Sequence, residues 1–149
     1  MKIIKIISKK YFFLIEILIS ITLVSIFLVL VSINVKKAVE DYKFDSNVKK
    51  ITSYIDFSKK IASIHKSDVV ATFFQDENSL TIKISSYENT PFFHNIRNLE
   101  EKFKNLNFSF NKRYDDKLLI TFTSSGYYFP KGNIMIVQKK TNKEKEIKL

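Results

Sequence analysis

Glu16 is the only formal charge between Tyr11 and Val35, a run otherwise built almost wholly from Ile, Leu, Phe, Val and a few hydroxyl residues. A carboxylate in such a run costs a few kcal/mol in an apolar medium unless it pairs with a cation, is protonated, or lies near the headgroups, where Lys10, six residues before it, or water can meet it. The second group able to do chemistry is cationic: Lys131, Lys139, Lys140, Lys143, Lys145 and Lys148 crowd the last part of the chain against Glu144 and Glu146. Lysines in that pattern suit either a charge-mixed edge strand that resists aggregation or a phosphate-contacting patch. Little else is chemically equipped. His65 and His94 are the only imidazoles and no carboxylate stands at ligand spacing from either, while Asp115-Asp116 and Glu100-Glu101 are neighbours that point to different sides of a strand or helix. With two glycines and no cysteine, the chain lacks the means for a phosphate-cradling loop, a zinc-thiolate site, a thiol nucleophile or a disulfide framework. No enzymatic activity, cofactor or small-molecule substrate is expected.

The elements that position these groups follow from hydropathy. At about 1.5 Å per residue, a helix from Tyr11 to Val35 reaches roughly 37 Å, enough for a hydrocarbon core of about 30 Å. The segment runs on through Ser32-Ile33-Asn34-Val35-Lys36-Lys37 with no small-residue cleavage site, so it reads as a single-pass span in the lipid bilayer rather than a removed secretory signal. Lys2, Lys5, Lys9 and Lys10 precede it and Lys36, Lys37, Lys43, Lys49 and Lys50 follow it, so charge alone does not fix orientation. The four lysines at the very start favour a cytosolic N-terminus and an extracytoplasmic C-terminal part. Of the formal charge of +10, arginine supplies only Arg97 and Arg113. Such a balance is attracted to anionic lipid or nucleic acid.

Around Glu16 the order is Lys9-Lys10-Tyr11-Phe12-Phe13-Leu14-Ile15-Glu16-Ile17-Leu18-Ile19. Basic residues, an aromatic, a Leu-Ile, a glutamate and an unbroken apolar helix resemble the N-terminal segment of type IV pilins and type II secretion pseudopilins. The resemblance implies cleavage between Tyr11 and Phe12 by a prepilin peptidase, N-methylation of Phe12, and Glu16 as the assembly glutamate that pairs with the amine of a neighbouring subunit. The residue before that cut is Tyr11 where the family carries glycine. The resemblance also implies other pilin or pseudopilin subunits and an inner-membrane assembly platform as partners, in the cytoplasmic membrane with a periplasmic head. Its function would be that of a minor pseudopilin in a type II secretion-type pilus. The alternatives are a FimT-like or competence minor pilin that takes up DNA, with the six lysines as its contact, and a signal-anchored protein with another binding role.

Beyond the span, Val35, Val39, Tyr42, Phe44, Val48, Ile51, Ile55 and Ala62 keep helical spacing, widened by Tyr54, Phe57, Ile61 and Ile64. The phase slips at Asp45-Ser46-Asn47, where a bend or break is expected. Val69–Gln75 and Leu80–Ser86 read as a hairpin around Asp76-Glu77-Asn78-Ser79. Tyr87–Asn98 reads as a loop and Leu99–Leu106 as a short amphipathic helix. Strands are expected at Asn107–Asn111, Leu118–Thr123, Asn133–Lys139 and Glu146–Leu149, with turns at Ser124-Ser125-Gly126 and Pro130-Lys131-Gly132. The sequence from Ile120 to Ile136 is similar to the end of H-type minor pseudopilins and FimT-like pilins. The expected fold is α+β: a basic leader or cytosolic tail (1–11), a transmembrane helix (12–35), its extracytoplasmic continuation (36–65), and a β-rich head (66–149) in which a small antiparallel sheet packs on the helix as in a pilin lollipop.

Overall fold

The computed structural model describes the backbone of residues 2–86 and 99–149, and side chains from Phe12 onward within those stretches. The expected loop at Tyr87–Asn98, with His94 and Arg97, lies outside the described residues, as do the side chains of Tyr11 and the lysines before it.

The helix α1 runs Lys2–His65 without interruption. Phe44, Val48, Ile51, Ile55, Ser58, Ile61 and Ala62 are buried, and steps of three and four residues link them into one continuous face. The break expected at Asp45-Ser46-Asn47 does not occur. Val39, Tyr42, Phe57 and Ile64, read as members of the stripe, are exposed instead, Tyr42 at 76% and Ile64 at 72%. They point a third of a turn or more away from the line of Phe44, Ile51 and Ala62 at the middle of the buried face, so a helix only half covered leaves them outside. The end of α1 is set by Lys66, which takes a left-handed φ of 50°, while the Ser67 N–H reaches back to the Ala62 carbonyl at 3.2 Å. That pair of features is the capping turn that closes carbonyls left open at a helix C-terminus.

Among the described residues eight strands follow. The hairpin appears as expected: β1 (Val69–Asp76) and β2 (Ser79–Ser86) pair antiparallel, with Asp76 opposite Ser79 around Glu77-Asn78. The amphipathic helix expected over Leu99–Leu106 is replaced by β3 (Glu100–Lys104) and β4 (Leu106–Phe110). Leu99, Phe103 and Leu106 have helical spacing, but Phe103 is opposite Leu80 on the edge of β2, and Asn105 breaks the run at φ 58°. Cross-strand pairing overrides a short local preference. The rest comprises β5 (Lys117–Phe122), the two-residue β6 (Tyr128–Phe129), β7 (Asn133–Gln138) and β8 (Glu144–Lys148).

These strands make two antiparallel sheets, of order β3-β2-β1-β5-β6 and β4-β7-β8, where one small sheet was expected. Alternation along each strand sends Val69, Ala71, Phe73, Leu80, Ile82, Ile84, Ile120 and Phe122 from the larger sheet into the core. Leu106, Phe108, Ile134, Ile136 and Ile147 enter from the smaller one, and Phe73 meets Phe108 with ring centroids 5.9 Å apart. Gln75 of β1 accepts the Phe108 N–H of β4 at 2.7 Å, tying one sheet to the other. The helix face beginning at Phe44 completes this core. The fold is α+β, with a helix packed on antiparallel β-structure.

Candidate functional site

Two groups define the candidate site: the apolar half of α1 with Glu16, and the lysines of the smaller sheet. Every side chain from Phe12 to Val35 is exposed, so the chain by itself covers none of this surface. The helix is long and apolar enough to cross a membrane. Three of its hydroxyls are satisfied within the helix: Ser20, Thr22 and Ser25 each donate at 2.8 Å to the carbonyl four residues earlier, those of Glu16, Leu18 and Ile21. A hydroxyl bonded this way leaves no open donor on an apolar surface. Their presence in an apolar helix was the available sign of it. Glu16 is exposed, and among the described residues its carboxylate has no hydrogen bond or ion pair. Phe12 is exposed at 76%. Asn34 stands five turns from Glu16, on the same face of the helix.

The lysines are not brought together. Lys131 lies before β7 and Lys139 and Lys140 after it, at opposite ends of a strand roughly 20 Å long. Lys148 is opposite Asn133, at the Lys131 end. Lys143 and Lys145 turn to the helix: their ammonium groups lie 3.3 Å and 3.6 Å from the two oxygens of Asp45. The hydrogen bond from Lys143, aided by the charge of Lys145 and opposed by some desolvation, holds the Asp45 carboxyl below its ordinary 3.8. Lys143 also stands 5.4 Å above the Phe44 ring. On the outer side of β8, Glu146 accepts from the Asn133 side-chain amide at 2.7 Å. Sequence reasoning missed the partnership of Asp45 with β8, because the two are joined only by the tertiary fold.

A cleft of about 550 Å³ opens beside the helix, lined by Lys49, Lys50, Ser53, Tyr54, Phe57 and Glu101 among others. Its one carboxylate is engaged: Tyr54 donates to Glu101 at 3.0 Å and Lys50 approaches it at 3.4 Å. Partial burial, and then the acceptor role and charge of Glu101, push the Tyr54 phenol above its ordinary 10.0. Glu101 is turned toward the helix and Glu100 away from it, so the pair does not act as two carboxyls on one centre. Among the described residues no group of three His, Asp or Glu could hold a metal ion. The arrangement can therefore embed a helix, offer a lone carboxylate to a cation, and present lysines to an anionic surface. Compared with known proteins, the chain matches no family model, no curated protein and no solved structure.

Proposed function

We propose that this chain is a minor pseudopilin, a structural subunit anchored in the cytoplasmic membrane by α1, with its N-terminus cytosolic and its head periplasmic. It works by helix-on-helix packing in a short filament of a type II secretion-type machine. The observation that carries this reading is Glu16: a lone carboxylate without a described partner, in the exposed apolar stretch of α1 and at the fifth position counted from Phe12. An acid in that setting is stabilised when a neighbouring cation meets it. The free amine of an adjacent processed subunit is such a cation, and it would fix register as subunits add. The continuous passage of that helix into the face packed under the sheets also supports the reading, because a filament subunit must link its membrane packing to its head.

The reading as a DNA-uptake pilin has less support, since β7 separates Lys131 and Lys148 from Lys139 and Lys140, and Asp45 engages Lys143 and Lys145. Two measurements test the proposal. The mass of the N-terminal peptide, with and without prepilin peptidase, should change to one beginning at methylated Phe12; an intact Met1 in the mature membrane protein overturns processing. A Glu16→Ala variant should still anchor but no longer copurify with its partner subunits, and normal assembly of that variant overturns the pairing role.

A further inference from the structure

We propose that the β7–β8 turn, Lys139 to Lys143, rests on the membrane surface and binds anionic lipid headgroups. This deepens the reading of α1 as a membrane anchor and rests on it. The turn is internally braced. The Gln138 N–H donates to the Lys143 carbonyl and the Asn142 N–H to the Gln138 carbonyl, both at 2.9 Å. Thr141 donates its hydroxyl to the Gln138 side chain at 2.8 Å, and Asn142 takes the left-handed φ of 50° that the bend requires. Lys139 and Lys140 are left exposed at the tip, and their ammonium groups make no ion pair among the described residues.

The direction of β8 places this tip. At its start Lys143 and Lys145 meet Asp45, and just past its end the Leu149 carbonyl accepts the Tyr128 hydroxyl at 2.8 Å. The Tyr128 ring lies under Lys59, whose ammonium is 6.0 Å from its centre. So β8 runs in the same sense as the helix from Asp45 toward Lys59, and the turn before it lies at the same end of the head as Asp45. Ten residues join Val35, the last of the apolar run, to Asp45. Ten residues span about 15 Å as helix and at most about 35 Å in any conformation. The headgroup layer extends roughly 5 to 8 Å beyond the hydrocarbon, and the field of an anionic surface persists for a further 8 Å or so at physiological salt.

The two stretches nearest Asp45 in sequence or space both carry net positive charge. Residues 36–50 carry five lysines against Glu40, Asp41 and Asp45, and residues 139–145 carry four against Glu144. Two of those four are held by Asp45, which leaves Lys139 and Lys140 to face outward. Phosphate on a nucleic acid would present the same chemistry, but a bilayer is tethered within reach by the chain itself.

The test uses the full chain reconstituted in vesicles of phosphatidylcholine alone, or of equal parts phosphatidylcholine and phosphatidylglycerol. An impermeant amine-acetylating reagent is added, and the rate is read at each lysine by mass spectrometry. Lys139 and Lys140 should react about fivefold more slowly on the anionic vesicles, and high salt should abolish the difference. Lys131, at the far end of β7, should react equally on both. Equal rates at Lys139 and Lys140 on the two vesicles overturn the proposal, as does stronger protection by duplex DNA on phosphatidylcholine than by phosphatidylglycerol. Alkaline carbonate separates the two claims: release of the chain removes the anchor reading and this one with it, whereas retention with equal rates removes only the role of the turn.

Discussion

Gln75→Leu should destabilise the head through a single backbone group. The Gln75 side-chain oxygen accepts the Phe108 N–H at 2.7 Å, at the short end for such a bond, and the Phe108 side chain is wholly buried. Leucine keeps the size of the side chain and removes the acceptor. The amide then stays partly buried with no partner, and an orphaned donor of that kind costs about 1 to 3 kcal/mol. Because water has some access at this site, a value of ~1.5 kcal/mol is expected, which corresponds to a melting temperature lower by roughly 7 °C for a domain of this size. The assay is a thermal melt of the full chain in detergent micelles, followed by near-ultraviolet circular dichroism so that tyrosine packing in the head is read apart from the apolar helix. Amide hydrogen exchange should show faster exchange at Phe108. Gln75→Glu, which keeps an acceptor, should preserve protection there. If Gln75→Leu melts with the parent and Phe108 remains equally protected, the account of the bond between the sheets is wrong.

Other consequences are as direct. The Asp45 carboxyl is held below its ordinary 3.8, so its stabilising effect is complete above about pH 4 and is lost as pH falls through the lowered value. A melt series from pH 6 to pH 2 should therefore show parent and Asp45→Asn converging at the acidic end. Gly132→Ala places a methyl group against the Asn111 side-chain amide and the Phe110 ring and disturbs the Asn111 acceptor of the Asn133 N–H. It should lower stability by about 1 to 2 kcal/mol in denaturant titration. Glu101→Gln should move the Tyr54 phenol only part of the way back toward 10.0, since burial is the larger cause and persists; carbon-13 NMR of labelled tyrosine reads this.

The helix face and the β1–β2 hairpin were legible because their signals are local. Phe44, Val48, Ile51, Ile55 and Ala62 repeat at the helical period and are the residues buried, and Leu80, Ile82 and Ile84 alternate as the strand does. Asp45 misled in an instructive way. A charge beside the core stripe read as a break, whereas it is the acceptor for Lys143, 98 residues further along. Leu99–Leu106 misled for the converse reason, since its period was helical but β2 had an edge to fill. The division into two sheets and the short β6 carried no local signal. Glu16 and the lysines could be named from sequence; that β7 separates the lysines, and that some of them hold the helix, could be learned only from the pairing register.

The bond from Phe108 to Gln75 has a bearing on solubility as well. The neighbouring Phe110 and Arg113 exchange both of their backbone bonds, so the outward amides of Phe108 and Phe110 on β4 are already engaged. A second copy seeking to add a strand along β4 finds these two donors already engaged. An edge blunted in this way is a poor template for sheet-to-sheet fusion of two heads.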